Sequence, residues 1–398
     1  MFDYIKIEGF RSFKKVELEM PRLAVLIGPN GGGKSNFLDL LMLVAEAGNG
    51  QLANGVYKRG GFPNIAFGFD PSQEAGIELR FKEALWWRVP TRGGDDKLDV
   101  RFKMAVRNYG SIAQVTAESV WQESATEPSL CAEMVSRGPA GAVLRAPNEA
   151  GAVVAEERRG VTPSELVISQ VKDSEKYPAS SFVLRELAGW TLYRDIDVGP
   201  EARVRQPTLI RPDVLLLPDG SNLSSVLHSI QQGHPDLWSE ILEDLHTAYQ
   251  DFVKLTVPAG GGDGKVHLRW FERPYEKEGM SANLLSDGTL KLLCLMAILK
   301  TPDPPSLICI DEPELGLHPD WIKLVAELLQ DAAARTQVIV ATHSPHIVAK
   351  LEPEQVIVTE KVEGETHLNQ LKTRDLGNWL KDFSLAELWL SGEIGGRP

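Results

Sequence analysis

The sequence predicts an α/β protein with a largely parallel core sheet, an antiparallel N-terminal sheet and an inserted mixed α/β module. Three observations carry that expectation. Leu23-Ala-Val-Leu-Ile27, Ser306-Leu-Ile-Cys-Ile310 and Gln337-Val-Ile-Val-Ala341 are continuous apolar runs, as in strands covered on both faces. Helical patterns stand beside these runs, and strands alternating with helices imply parallel pairing. Asp3–Ile7 and Lys15–Met20 alternate apolar and polar residues instead, as half-buried antiparallel strands do.

Taken in order, the two alternating strands and the Leu23 run lead into a glycine-rich stretch. A helix follows over Lys34–Ala47, with apolar residues at helical spacing. From about Ile77 to Val120 short alternating strands are expected, Leu98–Val106 being the clearest. Residues 124–165 are rich in Gly, Pro, Ala and Glu and read as hairpins and loops. Leu223–Phe252 reads as helix, broken at Gly233–Pro235, and Pro258–Gly264 as a flexible tip. A helix over Trp321–Arg335 puts Trp321, Leu324, Val325, Leu328 and Leu329 on one face. The expected division is a split domain, 1–80 with 265–398, around an inserted 81–264. That insertion is β-rich over 81–205 and helical over 206–264.

A chain of 398 residues is too long for one ordinary domain, and 43% hydrophobic with 24% charged residues is a globular composition. Its 42 basic and 55 acidic residues give −13, which argues against a positively coated protein but permits a local basic groove. Cys131, Cys294 and Cys309 form no CxxC pair, so neither a disulfide framework nor a structural zinc site is expected. The start Met1-Phe-Asp-Tyr-Ile-Lys has no signal-peptide character, and the richest apolar run, Leu290–Lys300, is too short to span a bilayer. A soluble cytoplasmic protein without membrane contact is the expectation.

Four motifs carry chemistry. Gly28-Pro-Asn-Gly-Gly-Gly-Lys34-Ser35 fits G-x-x-x-x-G-K-[ST] between a buried strand and a helix. Glycines let successive N–H groups face phosphate oxygens, and the helix start adds a positive dipole. Asn30, Gly31, Gly32, Gly33, Lys34, Ser35 and Asn36 are the candidate nucleotide-binding residues, with Lys34 reaching the β/γ-phosphates and Ser35 ligating Mg2+. Leu307-Ile-Cys-Ile-Asp311-Glu312-Pro313 is an apolar strand ending in two carboxylates. Asp311 would share the Mg2+ with Ser35, and Glu312 would polarise the attacking water as general base. His343 also follows a buried strand and is the candidate for a γ-phosphate hydrogen bond. A buried, satisfied histidine is the competing reading, and metal ligation with His346 is disfavoured by Pro345 and the lack of a third ligand. In Asn283-Leu-Leu-Ser286-Asp287-Gly288-Thr289, Ser286 or Asp287 can cap the helix that follows, and Gly288 permits close backbone approach.

Leu-Ser-Asp-Gly matches the L-S-x-G signature of ABC-type ATPases and falls in the right order, so the four motifs together resemble a P-loop ABC ATPase head. Ile5-Lys-Ile-Glu-Gly-Phe-Arg-Ser-Phe13, Ile27-Gly-Pro-Asn-Gly-Gly-Gly-Lys-Ser-Asn36 and Asp311-Glu-Pro-Glu-Leu-Gly-Leu-His-Pro319 resemble the SMC/RecF/OLD-like group. Among its members they are most similar to the short RecF-like AAA-type ATPases of bacteria. Pro218–Leu223 and the tail Leu388–Pro398 are also similar to that subgroup, so the resemblance spans residues 1–80 and 210–398. It implies an ATP-dependent homodimer in which Ser286, Asp287 and Gly288 of one chain reach the γ-phosphate held by the other. It also implies nucleotide or DNA contact for Arg11, against an equal claim as a structural arginine. Glu314 and His318 would lie at the dimer interface, or simply form a capped turn. The chain departs from the pattern in three ways. It has no long coiled coil or CxxC hook, no identifiable Q-loop glutamine (Gln51 and Gln73 both fit poorly), and too little chain after His343 for a TOPRIM nuclease.

Two outputs compete. The first is an ATP-hydrolysing switch coupled to double-stranded DNA in repair or phage defence, using Arg80, Lys82, Arg88, Arg92, Arg101, Lys103 and Arg107. The second is an ATP-gated module that controls a separate effector protein in trans, with Trp86, Trp87, Trp121 and Trp190 as anchors.

Overall fold

The computed structural model describes the chain except residues 89–94, 111, 125–130, 139–140, 148–152, 159, 213–214, 261, 378 and 397–398. It begins with β1 (Tyr4–Phe10), β2 (Phe13–Glu19), β3 (Leu23–Ile27) and α1 (Lys34–Gly48), as the patterning predicts. Chain contacts divide it into two compact units. Residues 1–21, 28–190 and 357–370 form the first; residues 22–27, 191–356 and 371–398 form the second. This division does not follow the 80/81 and 264/265 boundaries.

In the first unit, β4 (Ala75–Arg88) pairs antiparallel with β1, placing Ile7 opposite Ile77, and the sheet simply continues. β5 (Asp95–Tyr109), β6 (Ile112–Ser124), β7 (Ala132–Gly138), β8 (Gly141–Pro147) and β9 (Val153–Arg158) extend it to eight strands in the order β2-β1-β4-β5-β6-β7-β8-β9. The middle strands are longer than expected, β4, β5 and β6 having 14, 15 and 13 residues. Their period-2 alternation identifies a buried face but not the partner, which is why the sequence places these strands in the β-rich part, 81–205, of an inserted module. α2 (Leu52–Lys58) and α3 (Pro178–Ala188) complete the unit with α1. Phe2, Phe81 and Phe182 cross edge-to-face in its core, at ring separations of 6.5 and 5.5 Å. A hairpin, Val356–Val362 with Glu365–Gln370, also belongs here over 357–370.

The second unit holds the parallel strands. Leu307–Asp311 pairs with Gln337–Ala341, which pairs with β3, placing Asp311 opposite Ala341 and Ala341 opposite Leu26. Every residue of these three strands is buried, as a parallel sheet covered on both faces requires. β10 (Trp190–Tyr193) flanks the Leu307–Asp311 strand. α4 (Leu223–Gly233) and α5 (Pro235–Ala248) break where expected, at Gly233–Pro235. α6 (Asp287–Leu299) is buried without interruption from Thr289 to Leu299, so this helix is buried on every face. α7 (Pro319–Arg335) buries Ile322, Val325, Leu328 and Leu329, with Trp321 and Leu324 half-buried.

Candidate nucleotide site

The glycine loop lies in the first unit. Its backbone takes the left-handed region at Gly28 (φ 145°), Gly31 (φ 77°) and Gly33 (φ 109°). Gly33 has a second reason to be glycine, since a Cβ there would sit 2.6 Å from Thr366 Oγ1 of the hairpin. Lys34 is buried, and its ammonium donates to Gly28 O at 2.8 Å and Pro29 O at 3.2 Å, inside the curve of the loop. Gly33 is the N-cap of α1 and, like the caps of α2 to α5, makes no side-chain bond to its helix. A helix start left without a side-chain cap directly after a glycine loop suits an anion.

Asn36 and Arg11 come together, but with each other. Arg11 Nη1 donates to Asn36 Oδ1 at 3.0 Å, and Asn36 Nδ2 donates to Ser12 Oγ at 2.9 Å. Arg11 also pairs with Asp39 at 2.6 Å, and Asp39 with Arg59 at 2.9 Å. The β1–β2 turn, where Arg11 takes a φ of 48°, is thus tied to α1. Beside it Arg11, Ser12, Asn36, Asn64, Phe67 and Phe69 contribute to a cavity of about 590 Å3. Of the glutamines weighed for the Q-loop, Gln51 precedes α2 and Gln73 donates to Asp70.

The carboxylates lie in the second unit, at the C-terminal edge of the parallel strands. β3 runs from that same sheet directly into Gly28. Asp311 is 9% exposed, and its Oδ2 accepts from Arg194 Nε at 2.8 Å. Glu312 adopts φ 50°, a conformation costly for a residue with a Cβ, and its N–H donates to Ala341 O at 2.8 Å. Glu314 Oε1 accepts from Thr342 Oγ1 and from the N–H of His343, each at 2.7 Å. The Asp-Glu turn and the His343 loop are therefore locked together. His318 caps α7, with Nδ1 accepting from Asp320 N at 3.3 Å, which is the capped-turn reading.

Ser286 accepts from Thr289 N at 3.1 Å and so is the residue that caps α6. Asp287 is held by Arg205, which sequence reasoning missed. The guanidinium of Arg205 is 5% exposed and donates to the carbonyls of Val198, Gly199, Ala282, Asn283 and Leu285 as well as to Asp287. Gly288 packs closely too, since a Cβ would meet Gly316 O at 2.8 Å. Further along α6, Lys291 is a buried lysine. Burial pulls its pKa down, and the neighbouring Cys294, Glu314, Asp195 and Glu312 only partly offset this.

Three of the seven basic residues proposed for DNA pair with carboxylates. Arg80 pairs with Asp3 and Glu19, Arg101 with Glu123 and Arg107 with Glu74. Lys82 and Lys103 are exposed, while the side chains of Arg88 and Arg92 lie outside the described residues. Of the tryptophan anchors, Trp190 is core, Trp121 is 42% exposed, and the side chains of Trp86 and Trp87 lie outside the described residues.

Residues 149–349 match the family described as "AAA domain, putative AbiEii toxin, Type IV TA system", half of the chain. The chain belongs to this family. It is 30% identical over 81 residues to the "Retron Vc95 probable ATPase" of Vibrio cholerae serotype O1 biovar El Tor, covering 20% of this chain and 16% of that protein. It is 42% identical over 50 residues to "Septu protein PtuA" of Bacillus thuringiensis, covering 13% of each chain. The chain thus spans less than a fifth of the length of these relatives. Its fold is that of an SMC head: a solved SMC head bound to the C-winged helix domain of ScpA superposes with a TM-score of 0.59. That match covers 94% of this chain and 99% of that one at 16% identity. Fold and motifs together identify an ABC-type ATPase of the SMC/RecF-like kind. Among the described residues, no helix is long and apolar enough to cross a membrane, and no cluster of three His, Cys, Asp or Glu could hold a metal.

Proposed function

We propose that this AAA-family chain binds Mg2+ and ATP, hydrolyses the ATP, and dimerises around two nucleotides as it does so. The buried Lys34 inside a glycine loop whose helix lacks a side-chain cap is the observation that carries this reading. The loop amides and Lys34 hold the β- and γ-phosphates. The nucleoside extends toward the cavity beside Arg11 and Phe69. Asp311 and the Ser35 hydroxyl are hard oxygen donors of the kind Mg2+ takes when phosphates and water complete its shell. An Mg2+ ion held by these oxygens would neutralise charge on the transferring phosphoryl group.

Glu312 takes a proton from the attacking water as its oxygen bonds to the γ-phosphorus. The bond to the β–γ bridging oxygen breaks, and ADP and phosphate leave. His343, fixed through its backbone by Glu314, hydrogen-bonds the γ-phosphate. Ser286 and Gly288 of a second copy close over the same group, with Asp287 held aside by Arg205.

For the output, a separate effector protein is better supported than DNA. The net charge is −13, and three of the arginines that would grip phosphates already pair with carboxylates. The retron and Septu relatives support a setting in phage defence over one in repair.

Steady-state ATP hydrolysis and light scattering test this together. Lys34→Ala should lose nucleotide binding. Glu312→Gln should bind ATP, turn over roughly 10²–10⁴-fold more slowly and accumulate as dimer. Wild-type turnover by Glu312→Gln would refute the general-base assignment, and stimulation by duplex DNA at low salt would restore the DNA reading.

A further inference from the structure

Asp311 is already occupied. Its Oδ2 receives the Nε–H of Arg194 at 2.8 Å, from the residue that directly follows β10. The carboxylate is 9% exposed and belongs to a fully buried strand, so it cannot swing out to another partner. Arg194 is 35% exposed and stands at the end of its strand, so its guanidinium has solvent into which it can move. A buried carboxylate is strongly destabilising without a counter-charge, and here Arg194 supplies it. A guanidinium and a divalent cation on one carboxylate repel each other, so Arg194 on Oδ2 weakens the hold of Asp311 on a metal.

We propose that Arg194 is the resident counter-ion of Asp311, excluding divalent cations until a nucleotide brings one in. This rests on Asp311 being a Mg2+ ligand. Free Mg2+ must displace Arg194 with only one carboxylate in return. Mg2+ carried by ATP arrives with phosphate ligands, and the added negative charge offsets the release of the guanidinium. The arrangement makes metal entry conditional on nucleotide, so Arg194 is a positioning residue for the metal step.

Mn2+ binding followed by electron paramagnetic resonance, on the full chain without nucleotide, tests this without reference to turnover. Wild type should leave Mn2+ free in solution. Arg194→Gln, which keeps a polar side chain but removes the charge, should bind Mn2+ at least tenfold more tightly, and adding Asp311→Asn should abolish that site. Equal Mn2+ binding by wild type and Arg194→Gln would overturn the proposal. Should Arg194→Gln not fold, wild type against Asp311→Asn decides it, because an Asp311-dependent Mn2+ site in nucleotide-free wild type also overturns the proposal. Failure of the underlying reading looks different: Asp311→Asn would then bind Mn2+ with ATP as tightly as wild type does.

Discussion

Replacing Arg205 by alanine should be among the most damaging single changes in the second unit. Its guanidinium is 5% exposed and bridges the Val198–Gly199 carbonyls on one side to the Ala282–Asp287 turn on the other. Truncation removes every charged bond at once and leaves the Ala282 and Leu285 carbonyls buried without that donor. Such bonds are not additive, but deleting one partner from a buried charged network costs about 3–5 kcal/mol. For a unit of roughly 200 residues, at about 2–4 °C per kcal/mol, the melting temperature should fall on the order of 10 °C. Differential scanning calorimetry reads this directly, with two comparisons. Arg205→Lys keeps the charge but not the planar fork, and should recover less than half of the loss. Asp287→Asn touches a carboxylate that is 64% exposed and should cost below about 1 kcal/mol. A fall of less than about 2 °C for Arg205→Ala would show that water or neighbouring donors replace the guanidinium, and the reasoning would fail.

Two further outcomes follow from local geometry. Gly33→Ala places a methyl 2.6 Å from Thr366 Oγ1 at a φ of 109°, so fluorescent-nucleotide titration should show at least tenfold weaker binding. Gly31→Ala meets nothing within 4 Å and carries only the backbone strain of φ 77°, so it should be milder; equal losses would exclude the Thr366 collision as the cause. Glu118 is fully buried, accepts from the N–H groups of Val167 and Ile168, and is pushed up to about 7 by burial. Between its unfolded and folded pKa values the native state holds a proton that the unfolded chain has lost. Stability therefore falls as pH rises from about 4.5 to 7, by about 3 kcal/mol. Urea unfolding across that range should show the fall in wild type and its absence in Glu118→Gln, while parallel profiles would refute it.

What the sequence made legible was local. The glycine loop, the Asp311–Glu312 pair and the Ser286 cap each depend on residues within one strand–turn–helix, and each stands where expected. Asn36 was legible as a polar residue at a helix start, but its tie to Ser12 and Arg11 depends on a turn 24 residues away. Arg194 and Arg205 left no signal because their partners Asp311 and Asp287 lie 117 and 82 residues further along. The division of the chain was illegible for a similar reason. Alternation from about Ile77 to Val120 names a face, and only the pairing of β4 with β1 says that the N-terminal sheet runs on.

One consequence concerns which parts can move. Within the second unit, Glu312 is held at an unfavourable φ by its N–H bond to Ala341, one residue before the Thr342 hydroxyl that Glu314 accepts. Glu314 also takes the N–H of His343, and Asp311 pairs in register with Ala341. Asp311, Glu312, Glu314 and the His343 backbone are thus one cross-linked patch on two buried parallel strands. A patch of this kind resists rearrangement, since a shift would break several buried hydrogen bonds at once. The groups able to respond to nucleotide are those at its rim: the half-exposed Arg194 and the exposed Asp287. Both are charged, and each forms an ion pair with a buried partner. Switching in this chain should accordingly be electrostatic at the rim and rigid at the centre.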